Sequence, residues 1–85
     1  SKKLFMLSFK TIRGKLAQFL LEKAKDNLRV VELKQTQQDL ADLFGVTRPS
    51  LARVIRELEN EAVIRTDRKT ITILDKNKLI ALLNQ

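Results

Sequence analysis

The stretch Thr36-Gln-Gln-Asp-Leu-Ala-Asp-Leu-Phe-Gly45-Val-Thr-Arg-Pro-Ser-Leu-Ala-Arg53-Val-Ile-Arg56 places small and apolar residues where two short helices must cross steeply. Leu40 and Ala41 precede Gly45 while Val46, Leu51 and Val54 follow it, so one apolar seam runs through both helices. The small side chain of Ala41 lets the second helix approach closely, and Gly45 at the corner permits the positive φ of a tight reversal. The spacing predicts a helix-turn-helix with Leu40, Leu43, Leu51 and Val54 as shared core. Thr36 followed three residues later by Asp39 is a capping-box-like start, which sets the first helix at Gln37 to Phe44. The second helix is expected over about 48–60.

Two amphipathic helices of an ordinary bundle would share the same apolar positions. The polar face of the second helix argues for more, because Thr47, Arg48, Ser50, Arg53 and Arg56 form a donor-rich surface with no carboxylate before Glu57. Such a face suits nucleic acid: arginines on a helix lying in the major groove can grip guanine O6 and N7 in bidentate fashion.

Upstream, Ile12, Leu16, Phe19 and Leu20 form one apolar stripe, with Lys15, Gln18 and Glu22 off it, and predict a helix. Ser8 or Thr11 caps its start and Asp26-Asn27 ends it. Val30 to Leu33 reads as a short strand. Downstream, Val63-Ile64-Arg65-Thr66 and Thr70-Ile71-Thr72-Ile73 are β-branched runs around Asp67-Arg68-Lys69, the signature of a hairpin with a basic tip. Asp75 then caps a last helix whose apolar positions are Leu79, Ile80, Leu82 and Leu83.

A chain of 85 residues fits one small domain with a single core. It has no cysteine and no histidine, which removes disulfides, thiolate nucleophiles, imidazole bases and the usual zinc ligands together. The carboxylates are scattered at helix-surface spacing, so an enzyme is not expected. No apolar run nears the roughly 20 residues of a membrane-spanning helix and no signal peptide is visible, which predicts a cytoplasmic protein without membrane contact. The net charge of +7 points toward polyanions. The surplus is concentrated before residue 36. In residues 36–66, Arg48, Arg53, Arg56 and Arg65 are outnumbered by Asp39, Asp42, Glu57, Glu59 and Glu61, so placement and not total charge favours DNA. Lys2, Lys3, Lys23 and Lys25 read equally as solvated surface.

Three stretches together resemble the carboxy-terminal DNA-binding domain of the Crp/Fnr family of bacterial transcription regulators: Ile12-Arg-Gly-Lys-Leu-Ala-Gln-Phe-Leu-Leu21, Thr36 to Leu58, and the hairpin with its Lys69-Thr-Ile-Thr-Ile73 return strand. The resemblance implies a mainly α fold with a small antiparallel β wing, a winged helix-turn-helix over residues 8–85, with residues 1–7 as a hinge remnant. In that family a ligand-sensing β-roll and a long dimerisation helix precede this domain. The chain is then expected to carry no cofactor, the effector belonging to a sensor domain outside it.

By position, the resemblance implies that Arg48 and Arg53 read bases, joined by Ser50. Thr36, Gln37, Gln38 and Thr47 match phosphate-holding positions, where a cap hydroxyl already lies beside the positive end of the helix dipole. Arg56 and the wing residues Arg68 and Lys69 complete the backbone contacts. Pro49 departs from the best-known members, which carry a base-contacting glutamate there, so one base pair of each half-site is expected to differ. Proline also disfavours α geometry at Arg48, which predicts a helix starting at Pro49 with Arg48 as its cap. Ala62 and Arg68 stand where glycine suits the backbone better, and both are expected to be strained.

The function expected from these residues is sequence-specific binding of double-stranded DNA, as a homodimer on an imperfect palindrome in the full-length protein, with RNA polymerase as a further partner. The alternative is a winged-helix protein-interaction module that docks an acidic partner on the same arginines.

Overall fold

A computed structural model describes residues 11–24 and 29–84. The elements run α1 (Ile12–Lys23), β1 (Val30–Glu32), α2 (Gln37–Phe44), α3 (Arg48–Asn60), β2 (Ile64–Asp67), β3 (Thr70–Ile73) and α4 (Lys76–Ala81), with a closing 3₁₀ turn at Leu82–Asn84. The hinge assigned to residues 1–7, the alternative cap Ser8 and the helix end at Asp26-Asn27 lie outside the described residues.

Thr11 caps α1, its hydroxyl accepting the Gly14 N–H at 2.9 Å. Leu16, Ala17, Phe19 and Leu20 are buried, and Gln18, expected off the apolar stripe, is buried with them. The two helices of the turn end alike. At the end of α2, Gly45 has φ +71°. Its N–H donates to the Asp42 carbonyl at 3.2 Å and the Val46 N–H to the Ala41 carbonyl at 3.0 Å. At the end of α3, Ala62 takes φ +60°, and the N–H groups of Ala62 and Val63 donate to the carbonyls of Glu59 and Leu58 at 3.0 and 2.9 Å. Both are Schellman motifs, and in the second the buried pair Val63 and Leu58 supplies the accompanying apolar contact.

The three strands form an antiparallel sheet in the order β1-β3-β2. Val31 and Thr66 both lie opposite Ile71, and Asp67 opposite Thr70 closes the wing. The first strand is bounded at Glu32, one residue short of the expected Leu33, although the Leu33 N–H still donates to the Lys69 carbonyl at 2.6 Å, in register with the β1–β3 pairing. Helix α1, the α2–α3 pair and the inner sheet face enclose one core in which Leu16, Leu20, Leu40, Leu51, Leu58 and Leu79 are fully buried. Each contributes about 2 kcal/mol of apolar transfer free energy. Phe19 and Phe44 meet edge to face, centroids 6.0 Å apart, and lock α1 to α2.

Two large apolar helix positions are exposed, one of them, Leu43, expected in the core. Leu43 is 60% accessible, because α2 buries Leu40, Ala41 and Phe44 and position 43 lies about 100° round the helix from the centre of that arc. Ile80 is exposed likewise, α4 and the closing turn presenting Leu79 and Leu82 to the core. The start of α3 also differs from expectation. Thr47 is the cap, with extended backbone, and Arg48 is the first helical residue. Pro49 occupies the second helical position, where an N–H has no intrahelical partner to lose.

Candidate nucleic-acid interface

The α3 face is built by its cap. The Thr47 hydroxyl accepts the Ser50 N–H at 3.3 Å and donates to the Ser50 Oγ at 2.8 Å, fixing both side chains at the first turn. Leu51, Val54, Ile55 and Leu58 turn inward, which leaves Arg48, Arg53 and Arg56 exposed on the outer side. Among the described residues no ion pair involves these arginines.

The acids of the same helix are engaged elsewhere. Glu59 accepts both the backbone N–H and the hydroxyl of Thr66 on β2, at 3.2 and 2.7 Å. Glu57 and Glu61 are held by Arg13 of α1, whose guanidinium reaches Glu57 Oε1 at 3.1 Å and Glu61 Oε2 at 2.7 Å, with a further contact to Glu61 Oε1 at 3.1 Å. The bond to Glu61 is the main influence raising the Arg13 pKa above its ordinary value, against burial and with Glu57 adding to it. The same bond holds the Glu61 carboxyl below the usual carboxylate range, against desolvation, with the charges of Arg13 and Lys78 contributing.

At the start of α2 the capping box is complete. The Asp39 N–H donates to the Thr36 hydroxyl at 3.1 Å and the Thr36 N–H to the Asp39 carboxylate at 3.0 Å. Gln38 gives one amide proton to Asp42 at 2.9 Å, which leaves its second. At the other end of α2, the Lys15 ammonium donates to the Phe44 carbonyl at 2.8 Å, a cation on the negative end of the dipole.

A groove of about 180 Å³ joins the α2 start to the wing tip, lined by Lys34, Gln35, Thr36, Gln37, Thr66, Arg68 and Lys69 over a floor of Leu33, Leu40, Ile55 and Ile71. Thus Thr36, Gln37, Arg68 and Lys69, some thirty positions apart in sequence, share one concave surface because β1 and β3 pair beneath it. Arg68 takes φ +55° at the hairpin turn, as expected for a residue in a glycine-favouring position. Lys34 was not expected here; its only local signal is its place just ahead of the α2 cap. Arg13 and Lys15 were missed as well, since their partners lie 44 and 48, and 29, residues away. Among the described residues no cluster of acidic side chains is arranged to hold a metal ion, and no helix is long and apolar enough to cross a membrane.

The family model for the Crp-like helix-turn-helix domain matches residues 14–82. The cAMP-activated global transcriptional regulator CRP of Salmonella typhimurium is 30% identical over 78 residues, an alignment covering 86% of this chain and 37% of that protein. A CRP/FNR-family transcriptional regulator from Thermus thermophilus superimposes with a TM-score of 0.78 at 25% identity, covering 99% of this chain and 46% of the other. The CO-dependent transcription factor CooA from Carboxydothermus hydrogenoformans shares the fold, with a TM-score of 0.75 at 24% identity over 94% of this chain and 40% of the other. The chain therefore spans less than half the length of the relatives it matches.

Proposed function

Because the chain belongs to the Crp-like helix-turn-helix domain family, we propose that it is the double-stranded-DNA-binding domain of a transcription regulator, with α3 as the recognition helix. The observation that carries this is the division of charge on α3. Arg48, Arg53 and Arg56 stand exposed while Glu57, Glu59 and Glu61 are occupied by Arg13 and Thr66. Arg48, Ser50 and Arg53 read base edges in the major groove. Thr36, Gln37, Gln38, Thr47, Arg56, Arg68 and Lys69 hold the sugar-phosphate backbone, the groove at the wing seating one phosphate against Thr36, Gln37 and Lys69. Pro49 offers no polar atom to a base, so the half-site differs at that step from one read by a glutamate.

The relatives respond to cAMP and to CO. An effector bound by a sensor domain outside this chain fits that pattern, as do a cytoplasmic location, a homodimer on an imperfect palindrome and contact with RNA polymerase. Family membership gives the protein-interaction alternative no support.

The test is selection from a random duplex pool by a dimerised form of the domain. An enriched palindrome with guanines in each half-site is expected. Arg53→Ala then relaxes base preference by about 1–3 kcal/mol at one position, whereas Lys69→Ala weakens all sequences alike and lowers the salt slope by about 1. Salt-sensitive retention of every sequence without enrichment would reduce the domain to nonspecific binding.

A further inference from the structure

Arg13 lies on α1 and is not among the candidate DNA-contacting residues, yet it closes on two carboxylates of the recognition helix. Glu57 is the acid nearest in sequence to the exposed arginines. It follows Arg53 by four positions, and residues so spaced lie on one helix face a single turn apart. A free Glu57 carboxylate would have Arg53 as its ready partner, and the guanidinium would be drawn along α3 and away from a base edge. In the structure Glu57 is instead bound by the Arg13 Nη2 at 3.1 Å, and the same guanidinium forks onto Glu61 at 2.7 and 3.1 Å. The fork anchors Arg13: two carboxylates one turn apart match a planar group with several donors, which a lysine ammonium cannot do.

Granted duplex binding, on which this rests, we propose that Arg13 is a positioning residue for DNA readout, which sequesters the Glu57 carboxylate and so keeps Arg53 free for a base. Its contribution to recognition passes through Arg53, and Arg13 itself need not touch DNA. The geometry also removes two unpaired negative charges from the helix that approaches the phosphates.

The test compares affinities for the selected half-site and for random duplex at low and high salt, with circular dichroism verifying that each variant is folded. Arg13→Gln is expected to lower half-site affinity by about two- to fivefold at low salt, combining a released Arg53–Glu57 pair with repulsion from the phosphates. It also narrows the ratio of half-site to random affinity, and raised salt shrinks the loss. Glu57→Gln in the Arg13→Gln background restores the ratio. Glu22→Gln, an exposed acid on α1, restores the same net charge in that background without restoring the ratio.

Equal rescue by Glu57→Gln and Glu22→Gln would overturn the proposal in favour of net charge alone. A lowered melting temperature with no rescue by either would overturn it in favour of a mere strut. If Arg13→Gln does not fold, Arg13→Lys, which keeps the charge and loses the fork, is expected to give the same pattern at smaller amplitude; an unchanged ratio in that variant would overturn the proposal. Wild type that binds no duplex at low salt fails the DNA-binding function itself, an outcome distinct from binding that lacks the selective rescue.

Discussion

Ala62 and Arg68 are the two described non-glycine residues with positive φ, and they owe it to different demands. Ala62 closes the Schellman motif that ends the recognition helix, where Val63 and Leu58 pack as a buried pair, so the backbone must turn left-handed whatever residue is present. Ala62→Gly removes the Cβ strain and is expected to stabilise the domain by about 1 kcal/mol. In a thermal melt the midpoint should rise by roughly 4–8 °C for a domain of this size. A lowered midpoint would mean that the unfolded-chain entropy of glycine outweighs the strain. Both residues were recognisable in sequence, Ala62 because it stands at the end of a helix just ahead of the β-branched Val63-Ile64 run, and Arg68 because it stands in the tight turn between two such runs. Gly45 meets the same demand at the end of α2, and a Cβ there would touch nothing within 4 Å. Its requirement is therefore one of φ, with no crowding added.

The helices and the wing follow from local chemistry, and their limits are set by it. The capping box at Thr36 and Asp39, the cap at Thr47 and the Asp75 carboxylate that accepts the Lys78 N–H at 3.0 Å each start a helix where the expected pattern places one. Arg48 is the exception. The steric bias before proline is real, but Thr47 satisfies the first-turn donor at Ser50 and so takes the cap position, leaving Arg48 helical. In the wing, Arg68 pairs backbone strain with a charge at the rim of the phosphate groove. Arg68→Gly is expected to raise stability by about 0.5–1 kcal/mol while weakening duplex binding and reducing the salt slope by about 1. Melting and salt titration on one preparation check both. An unchanged slope would take Arg68 out of the phosphate contacts.

The domain measures 29 × 27 × 23 Å, so two copies fit side by side on half-sites about 34 Å apart without overlap. One copy alone is expected to bind in the range of about 10⁻⁴ to 10⁻⁶ M at physiological salt. Joining two copies through a dimerising helix should tighten binding to the palindrome by about 10²–10⁴. Fluorescence anisotropy with monomer and fused dimer measures the gain, and no gain on the palindrome would exclude the symmetric arrangement. The existence and order of the helices, the caps at Thr36 and Asp75, the turn at Gly45, the wing and the basic face of α3 were legible in the chain, because each depends on residues within about one or two helical turns of each other. Leu43 was misplaced as core because periodicity marks apolar residues without saying how wide a buried arc the packing will use. Nothing local marks the pairing of β1 with β3, the groove that unites Thr36 with Lys69, or the reach of Arg13 to Glu57 and Glu61. These contacts join residues roughly 30 to 50 positions apart, and only the packed core, which sets α1 and the wing strand β2 against α3, brings them together.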